Sequence, residues 1–458
     1  MKVIICGAGQ VGSNIARHLA AEANDVTVID SSPELIQKIS DTLDVKAMVG
    51  FASFPNVLEQ AGASDADMII AATYSDEVNM VACQVAHSLF NVPTKVARVR
   101  QQIYLREDYM ALFSADHMPI DVIISPELEV AKAVARRLLL PGASEMIPLA
   151  GDKVRLIGVR LGEDCPIINT PLRQLTALFP DLNINVVAIM RGDTQFVPHG
   201  DDQMLVKDEV YFVADTKHMM RAMAAFGHEE REAQRIVIVG GGNIGLCLAG
   251  LLEARTPSVS TKIIERDRER AEQIAQSLTR TMVLHGDALD PEILEEANVR
   301  KTETLIALTD DDETNILVSL LAKRYGCQRT VALINKQTYN SLFSVLDIDA
   351  VVNPRAITVS TILQHVRRGR VRAVHTIGDG FGEVLEVEAM ETSGIVGMPI
   401  RDLKLPQGAI VGAIVRDGEV VIPRGSGVVR ANDRVIVFST EAVVKKVEKM
   451  FAVRLEYF

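Results

Sequence analysis

One glycine pattern occurs twice in the chain, as Gly7-Ala8-Gly9-Gln10-Val11-Gly12 and as Gly240-Gly241-Gly242-Asn243-Ile244-Gly245. Each copy follows a short apolar run, Val3–Cys6 or Ile236–Val239, and precedes a stretch of helical period. The G-x-G-x-x-G spacing gives each glycine a separate task. The first makes a tight turn after a strand. The second lets the backbone approach a pyrophosphate, and the third lets helix and strand pack closely. An anion then sits on the helix N-terminus, where N–H groups and the dipole favour negative charge. A glycine turn serving packing alone is the competing reading, and a single copy would not decide between them. Two copies, one opening at Gly7 and one at Gly240, each with matching sequence downstream, argue for a duplicated nucleotide-sensing unit.

Strand-like and helix-like segments alternate over the first 125 residues or so. Strands are predicted at Val3–Cys6, Asp25–Asp30, Val45–Val49, Met68–Ala72, Lys95–Arg100 and Val122–Ile124. Helices are predicted from Val11 to about Ala21, from Pro33, and over Asp76–Phe90. The order repeats with strands at Ile236–Val239, Thr261–Glu265, Thr281–Leu284, Thr304–Leu308, Thr330–Ile334 and Val351–Val352. Such alternation builds a parallel sheet with helices on both faces. The segments between read as short alternating strands and are duplicated too. Val186–Asp193 matches Val411–Gly418, and Lys207–Val213 matches Asn432–Phe438, with a Gly/Asp pair marking a hairpin in each copy. The predicted fold class is therefore α/β: two Rossmann-like, doubly wound parallel-sheet domains, each followed by a small β-rich α+β domain. The expected boundaries are 1–124, 143–228, 233–354 and 373–453. The one dense basic run, Arg367–Arg372, reads either as a solvated linker or as a contact for an anionic partner.

Asp30 ends the second strand and Glu265 ends its equivalent, each about 20 residues beyond the last glycine of its turn, where a ribose-binding acid belongs. A carboxylate there accepts hydrogen bonds from ribose hydroxyls and repels a 2′-phosphate, which favours NAD over NADP. Arg266 blurs that preference in the second copy. After the third strand come Gly50-Phe51-Ala52-Ser53 and Gly286-Asp287-Ala288-Leu289, with Ser53 counted in the first site. After the fourth, a T-x-x-D-E-x-N pattern starts at Thr73 and again at Thr309, placing both threonines on the ligand edge of the sheet. Asp76 and Asp312 are read equally as caps of the next helix and as ligand contacts. Arg98 and Arg100 alternate along the fifth strand, and one of them is expected to face the ligand edge and pair with phosphate. The offset that carries Thr73 onto Thr309 puts Ile334 opposite Arg98, so the two sites are not expected to be equivalent.

Several classes of function are disfavoured. A net charge of −12 repels a phosphate backbone, and an aromatic content of 4% without Trp lacks the rings of a stacking surface, so no nucleic-acid partner is expected. The nine histidines have no metal-ligand spacing, and no serine nucleophile elbow or His–carboxylate pair is placed for proton transfer. This weighs against an enzyme, although a cytosolic NAD-dependent oxidoreductase with a duplicated domain remains the competing class. The odd number of cysteines, five, with no C-x-x-C, reads as reduced core thiols of a cytosolic protein. No secretory leader and no spanning segment is expected, so any membrane role would run through a partner.

Together, the N-terminal Lys2–Gly12 stretch, Ser75–Ala86, the second glycine turn and the order of four units resemble the TrkA family of bacterial potassium-uptake proteins along the whole chain. The resemblance implies RCK-N (KTN) units each followed by an RCK-C unit. It also implies a cytoplasmic nucleotide-binding regulator, peripheral on the inner face of the cell membrane, that gates an integral potassium transporter of the TrkH or TrkG kind. Family members bind NAD(H), and related rings bind ATP or ADP. Eight units form a ring, hence four chains of two units. Carried over, the first site is Gly7 to Gly12, Asp30, Thr73 and Arg98. The second is Val239 to Asn243, Glu265 and Thr309. Phe51 in place of Asp287, and the arginine missing from the second copy, set this chain apart. A regulator of a different cation transporter or antiporter is the third reading.

Overall fold

A computed structural model describes the chain except for residues 22–23, 115, 180–181, 230–231, 257, 340–345, 347, 367–370, 378–379 and 452–458. Most of the basic run, Arg367 to Arg370, lies outside the described residues. The chain divides into two compact units, one of Met1–Val130 with Asn353–Arg367, the other of Ala131–Val352 with Arg368–Phe458.

The first unit is built on six parallel strands: β1 (Lys2–Cys6), β2 (Asp25–Asp30), β3 (Lys46–Val49), β4 (Met68–Ala71), β5 (Thr94–Arg98) and β6 (Val122–Ile124). Their spatial order is β3-β2-β1-β4-β5-β6, so the chain reverses its direction of travel across the sheet between β1 and β4. The strands are apolar on both faces because helices cover both. On one face, Val3, Ile5, Val28 and Ile70 pack with Ile15 and Leu19 of α1 (Gln10–Ala21) and Ile36 and Ile39 of α2 (Pro33–Thr42). On the other, Ile4, Ile69 and Ala97 pack with Leu58 of α3 (Pro55–Gln60) and Cys83 and Ala86 of α4 (Asp76–Phe90). A helix from far along the chain, Pro354–Val366, adds Val359, Ile362 and Leu363 to the α1 face. Asn353 starts that helix by accepting the Arg355 and Ala356 N–H groups.

The second unit holds three sheets. An antiparallel one comprises β7 (Ala143–Leu149), β8 (Val154–Arg160), β9 (Ile184–Arg191), β10 (Thr194–Phe196) and β11 (Glu209–Asp215), ordered β10-β9-β11-β8-β7. The second parallel sheet comprises β12 (Arg235–Val239), β13 (Ser260–Glu265), β14 (Met282–His285), β15 (Thr304–Ala307), β16 (Arg329–Leu333) and β17 (Ala350–Val352), with the topology of the first. The last comprises β18 (Val371–Ile377), β19 (Gly382–Glu388), β20 (Ala409–Arg416), β21 (Glu419–Val421) and β22 (Arg434–Thr440), ordered β18-β19-β22-β20-β21. This is the first small sheet strand for strand. The expected hairpins are present, turning at Gly192 with φ 55° and at Asp417-Gly418 with φ 49° and 87°.

One ion pair recurs in both small sheets. Arg191 grips the buried Asp208 carboxylate at 2.9 and 2.7 Å, and Arg416 grips buried Asp433 at the same two distances. Each carboxylate also accepts a backbone N–H, from Leu205 and from Arg430. The two small sheets share a core in which Val187 and Val213 meet Val384, Ile436 and Phe438. Asn185 donates across it to the Val411 carbonyl at 3.0 Å.

All five cysteines are thiols, and none is paired in a disulfide. Burial pushes the Cys83 thiol up to about 12, and the Cys6 thiol higher still. Among the described residues no helix is long and apolar enough to cross a membrane. Two tests follow from this packing. Replacing Arg416 with Ala strands a buried carboxylate and is expected to cost about 3 kcal/mol in denaturant unfolding. Mass mapping after brief treatment with a thiol alkylator at pH 8 is expected to find Cys6 and Cys83 unmodified in the native protein and both modified in denaturant.

Candidate functional site

The carboxyl edge of each parallel sheet is assembled the same way. Gly7 and Gly240 turn with φ 111° and 101°, a region that side chains rarely adopt. The following helix comes so close that a Cβ on Gly12 would lie 1.8 Å from the Gly7 carbonyl oxygen, and one on Gly245 would lie 2.0 Å from that of Gly240. A Cβ on Gly9 or Gly242 would meet nothing within 4 Å, so the middle glycine faces open space in both copies. Gln10, Val11, Asn243 and Ile244 form the first turns of the helices and bring their N-termini to that space.

The strand-end acids bind the glycine turns themselves. Asp30 accepts the Ala8 N–H at 2.6 Å through Oδ2 and the Ser32 N–H at 2.8 Å through Oδ1. Glu265 does the same for Gly241, at 2.6 Å, and Asp267, at 2.8 Å. Each carboxylate is therefore held beside the turn by two N–H groups, with lone pairs left to accept further donors.

Behind the edge lies a residue whose role the sequence reading missed. Asn79 is fully buried on α4. Its Oδ1 accepts the Thr73 N–H at 2.8 Å and lies 2.7 Å from the Thr73 hydroxyl, while its Nδ2 donates to the Arg98 carbonyl at 2.9 Å. Asn315 repeats this with Thr309 at 2.9 and 2.7 Å and with the Leu333 carbonyl at 2.8 Å. One amide thus ties the end of the fourth strand to the end of the fifth. The recurring Asn of the T-x-x-D-E-x-N pattern was the available signal.

Two expectations are corrected. Asp76 and Asp312 do not cap their helices. The caps are Ser75, accepting from Val78 N, and Asp311, accepting from Thr314 N. Asp76 instead accepts the Arg100 and Gln101 N–H groups, and Asp312 those of Asn335 and Lys336. These buried carboxylates pin the loop after the fifth strand. The same bonds correct the pairing of Arg98. Its counterpart is Leu333, whose carbonyl binds Asn315 as that of Arg98 binds Asn79, and Ile334 matches Val99. The shift arises because the Asp312–Tyr325 helix has 14 residues where α4 has 15. Either way the second copy has no cation at this position.

Arg98 ends β5, half-buried among Glu127, Arg100, Asp76 and Tyr74. Burial draws its pKa below the usual arginine value, and the Glu127 carboxylate opposes that shift. Its Nε has no hydrogen-bond partner among the described residues. Arg100 is committed elsewhere, paired with Glu127 at 2.9 Å and lying over the Tyr74 ring at 4.9 Å. In the second copy a cation stands in a different place. Arg270, from the helix after β13, donates Nε to the Gly241 carbonyl at 2.8 Å. Its counterpart is Leu35, since Ser32 accepts from Leu35 N as Asp267 accepts from Arg270 N. Nothing in the motif spacing marks Arg270. Ser53 sits in the turn before α3, and Arg266 is exposed beside Glu265. Among the described residues no group of His, Cys, Asp and Glu side chains could hold a metal ion.

Two Rossmann-like parallel-sheet domains in tandem, each followed by a five-stranded antiparallel unit, define a class of paired RCK-type modules. Family models agree: the TrkA-N domain matches residues 3–126 and 236–354, and the TrkA-C domain matches 149–227 and 384–452. The chain belongs to the TrkA family. It is 54% identical over 458 residues, the whole of both chains, to the Trk system potassium uptake protein TrkA of Azorhizobium caulinodans. It is 42% identical to the protein of that name from Halomonas elongata, again over the whole of both chains. Among solved structures, the GsuK RCK domain superposes with a TM-score of 0.61 at 17% identity, covering 99% of this chain and 95% of that one. The GsuK channel bound to NAD gives 0.58 at 17% identity, covering 99% and 79%. At that identity the likeness is one of fold.

The amide tie is testable on its own. Asn315→Ala leaves the Thr309 N–H without its partner and is expected to cost roughly 2–4 kcal/mol in chemical denaturation, with secondary structure preserved by circular dichroism.

Proposed function

We propose that the chain is the cytoplasmic nucleotide-binding regulatory subunit of a membrane potassium-uptake system, and that it performs no catalysis itself. The observation that carries this reading is the doubled carboxyl edge. A glycine turn, a helix N-terminus and a strand-end carboxylate recur in one geometry, in a chain related end to end to proteins named for potassium uptake. NAD(H) is the first-choice ligand, because Asp30 and Glu265 suit unphosphorylated ribose hydroxyls. ATP and ADP share the same adenosine end.

In this reading the four domains are 1–124, 143–228, 233–354 and 373–453, and Gly7–Gly12, Asp30, Ser53, Thr73 and Arg98 form the first site. Val239–Gly245, Glu265 and Thr309 form the second. Four chains build a ring of eight units that docks on a TrkH- or TrkG-like transporter at the inner membrane face. Nucleotide controls flux only through a difference in affinity for two ring shapes.

The test is potassium flux through transporter and regulator reconstituted together, with NADH, NAD, ATP and ADP added in turn. Nucleotide-dependent flux is expected, with at least one ligand raising and another lowering it, and Asp30→Asn is expected to weaken NADH binding at the first site about 10-fold. Nucleotides that bind without altering flux would sink the proposal.

A further inference from the structure

The two adenosine ends differ in kind. Gly50 N donates to the Asp30 carbonyl and Phe54 N to that of Phe51; Gly286 N donates to the Glu265 carbonyl and Asp290 N to that of Asp287. These matched bonds pair Phe51 with Asp287 and Phe54 with Asp290. The residue next beyond the strand-end acid and its glycine is therefore a phenyl ring in one copy and a carboxylate in the other. Phe51 is 56% exposed and Phe54 51%, with ring centres 5.2 Å apart and planes inclined at 36°. Leu35, also exposed, holds the position that Arg270 has in the second copy. Asp287 is exposed too, with Oδ1 accepting the Leu289 N–H at 2.9 Å and lone pairs left for further donors.

Two large exposed rings cost solvation unless a planar apolar group covers them, and a base bound beyond a ribose held by Asp30 arrives at that position. A ring offers every base the same π face and reads no hydrogen-bond pattern. A carboxylate accepts from an exocyclic amine and repels a carbonyl oxygen. We infer that the first site takes its purine by stacking on Phe51 and is indifferent to the 6-substituent, whereas the second reads a 6-amino group with Asp287. The inference rests on the nucleotide-binding reading above and adds a specificity to each site. It makes the first site a reader of purine nucleotides at large and the second a reader of adenine nucleotides.

The full chain is titrated calorimetrically with ADP and with inosine diphosphate, which carries a 6-oxo group in place of the amine. Gly242→Asp silences the second site and Gly9→Asp the first. Both positions have room for a Cβ, and the added carboxylate stands where phosphate would bind. With the second site silenced, the two ligands are expected to bind within about 3-fold of each other, and Phe51→Ala to weaken both by about 10-fold or more. Phe51→Asp is expected to bring in a preference for ADP. With the first site silenced, ADP is expected to bind about 10-fold or more tighter than inosine diphosphate, and Asp287→Phe to abolish that preference. Equal ADP preference at both sites overturns the inference alone. So does a Phe51→Ala chain that keeps both affinities and changes only its sedimentation, which would make the rings an assembly surface. A chain that binds neither of these ligands nor NADH at either site overturns the nucleotide-binding reading as well.

Discussion

Each parallel sheet depends on one close approach, the third glycine of the turn lying against the carbonyl of the first. No side chain fits there, since a Cβ at Gly12 or Gly245 would fall within 2.0 Å of an oxygen. That contact sets the helix directly over its strand and points its N-terminus at the carboxyl edge. Everything else at the edge is arranged around that direction. Asp30 and Glu265 hold the turn from the second strand, and Asn79 and Asn315 tie the fourth strand to the fifth. Asp76 and Asp312 pin the loop beyond. The buried polar groups act mainly on backbone, so the edge is preorganised before any ligand arrives.

The two copies share this skeleton and differ in the groups mounted on it. The first carries Arg98 at the end of its fifth strand, exposed Phe51 and Phe54 after its third, and exposed Leu35 in the helix after its second. The second carries Leu333, Asp287 and Asp290 at the matching positions, and Arg270 where the first has Leu35. The cation thus stands at the end of the fifth strand in the first copy and on the helix after the second strand in the second. Because the backbone bonds are matched pair by pair, the copies differ in exposed side chains and not in architecture.

The succession of strands and helices and both glycine turns were legible because they rest on local rules, namely periodicity of apolar residues and the steric needs of a turn. The Asp25–Asp30, Asp76–Phe90 and Val122–Ile124 elements have the expected limits. What the sequence hid was non-local. The helix Pro354–Val366 falls between the expected domains 233–354 and 373–453, and nothing in its sequence says that Val359, Ile362 and Leu363 complete the core of the first sheet. The roles of Asp76 and Asp312 were misjudged because an acid in the first turn of a helix resembles a cap, and the true partners lie 24 residues on in one copy and 23 in the other. Counting by a fixed offset failed at Arg98 because one residue is missing from the helix between, which only the paired hydrogen bonds reveal.

A ligand that binds two shapes of a protein equally shifts nothing, however tightly it binds. Two sites of one chemistry would therefore offer a regulator a single input read twice. In the proposed role, sites with one skeleton and different surfaces give the chain two inputs that act on one assembly. The anchoring bonds are the same on both sides, so a ligand at either edge pushes on the same mechanical parts: the glycine turn through the strand-end acid, and the fifth strand through the buried asparagine. Ligand identity then decides which edge is occupied, and the shared skeleton ensures that either occupancy is felt in the same way. In that role the duplicated skeleton carries the transmission, and the side chains mounted on it carry the reading.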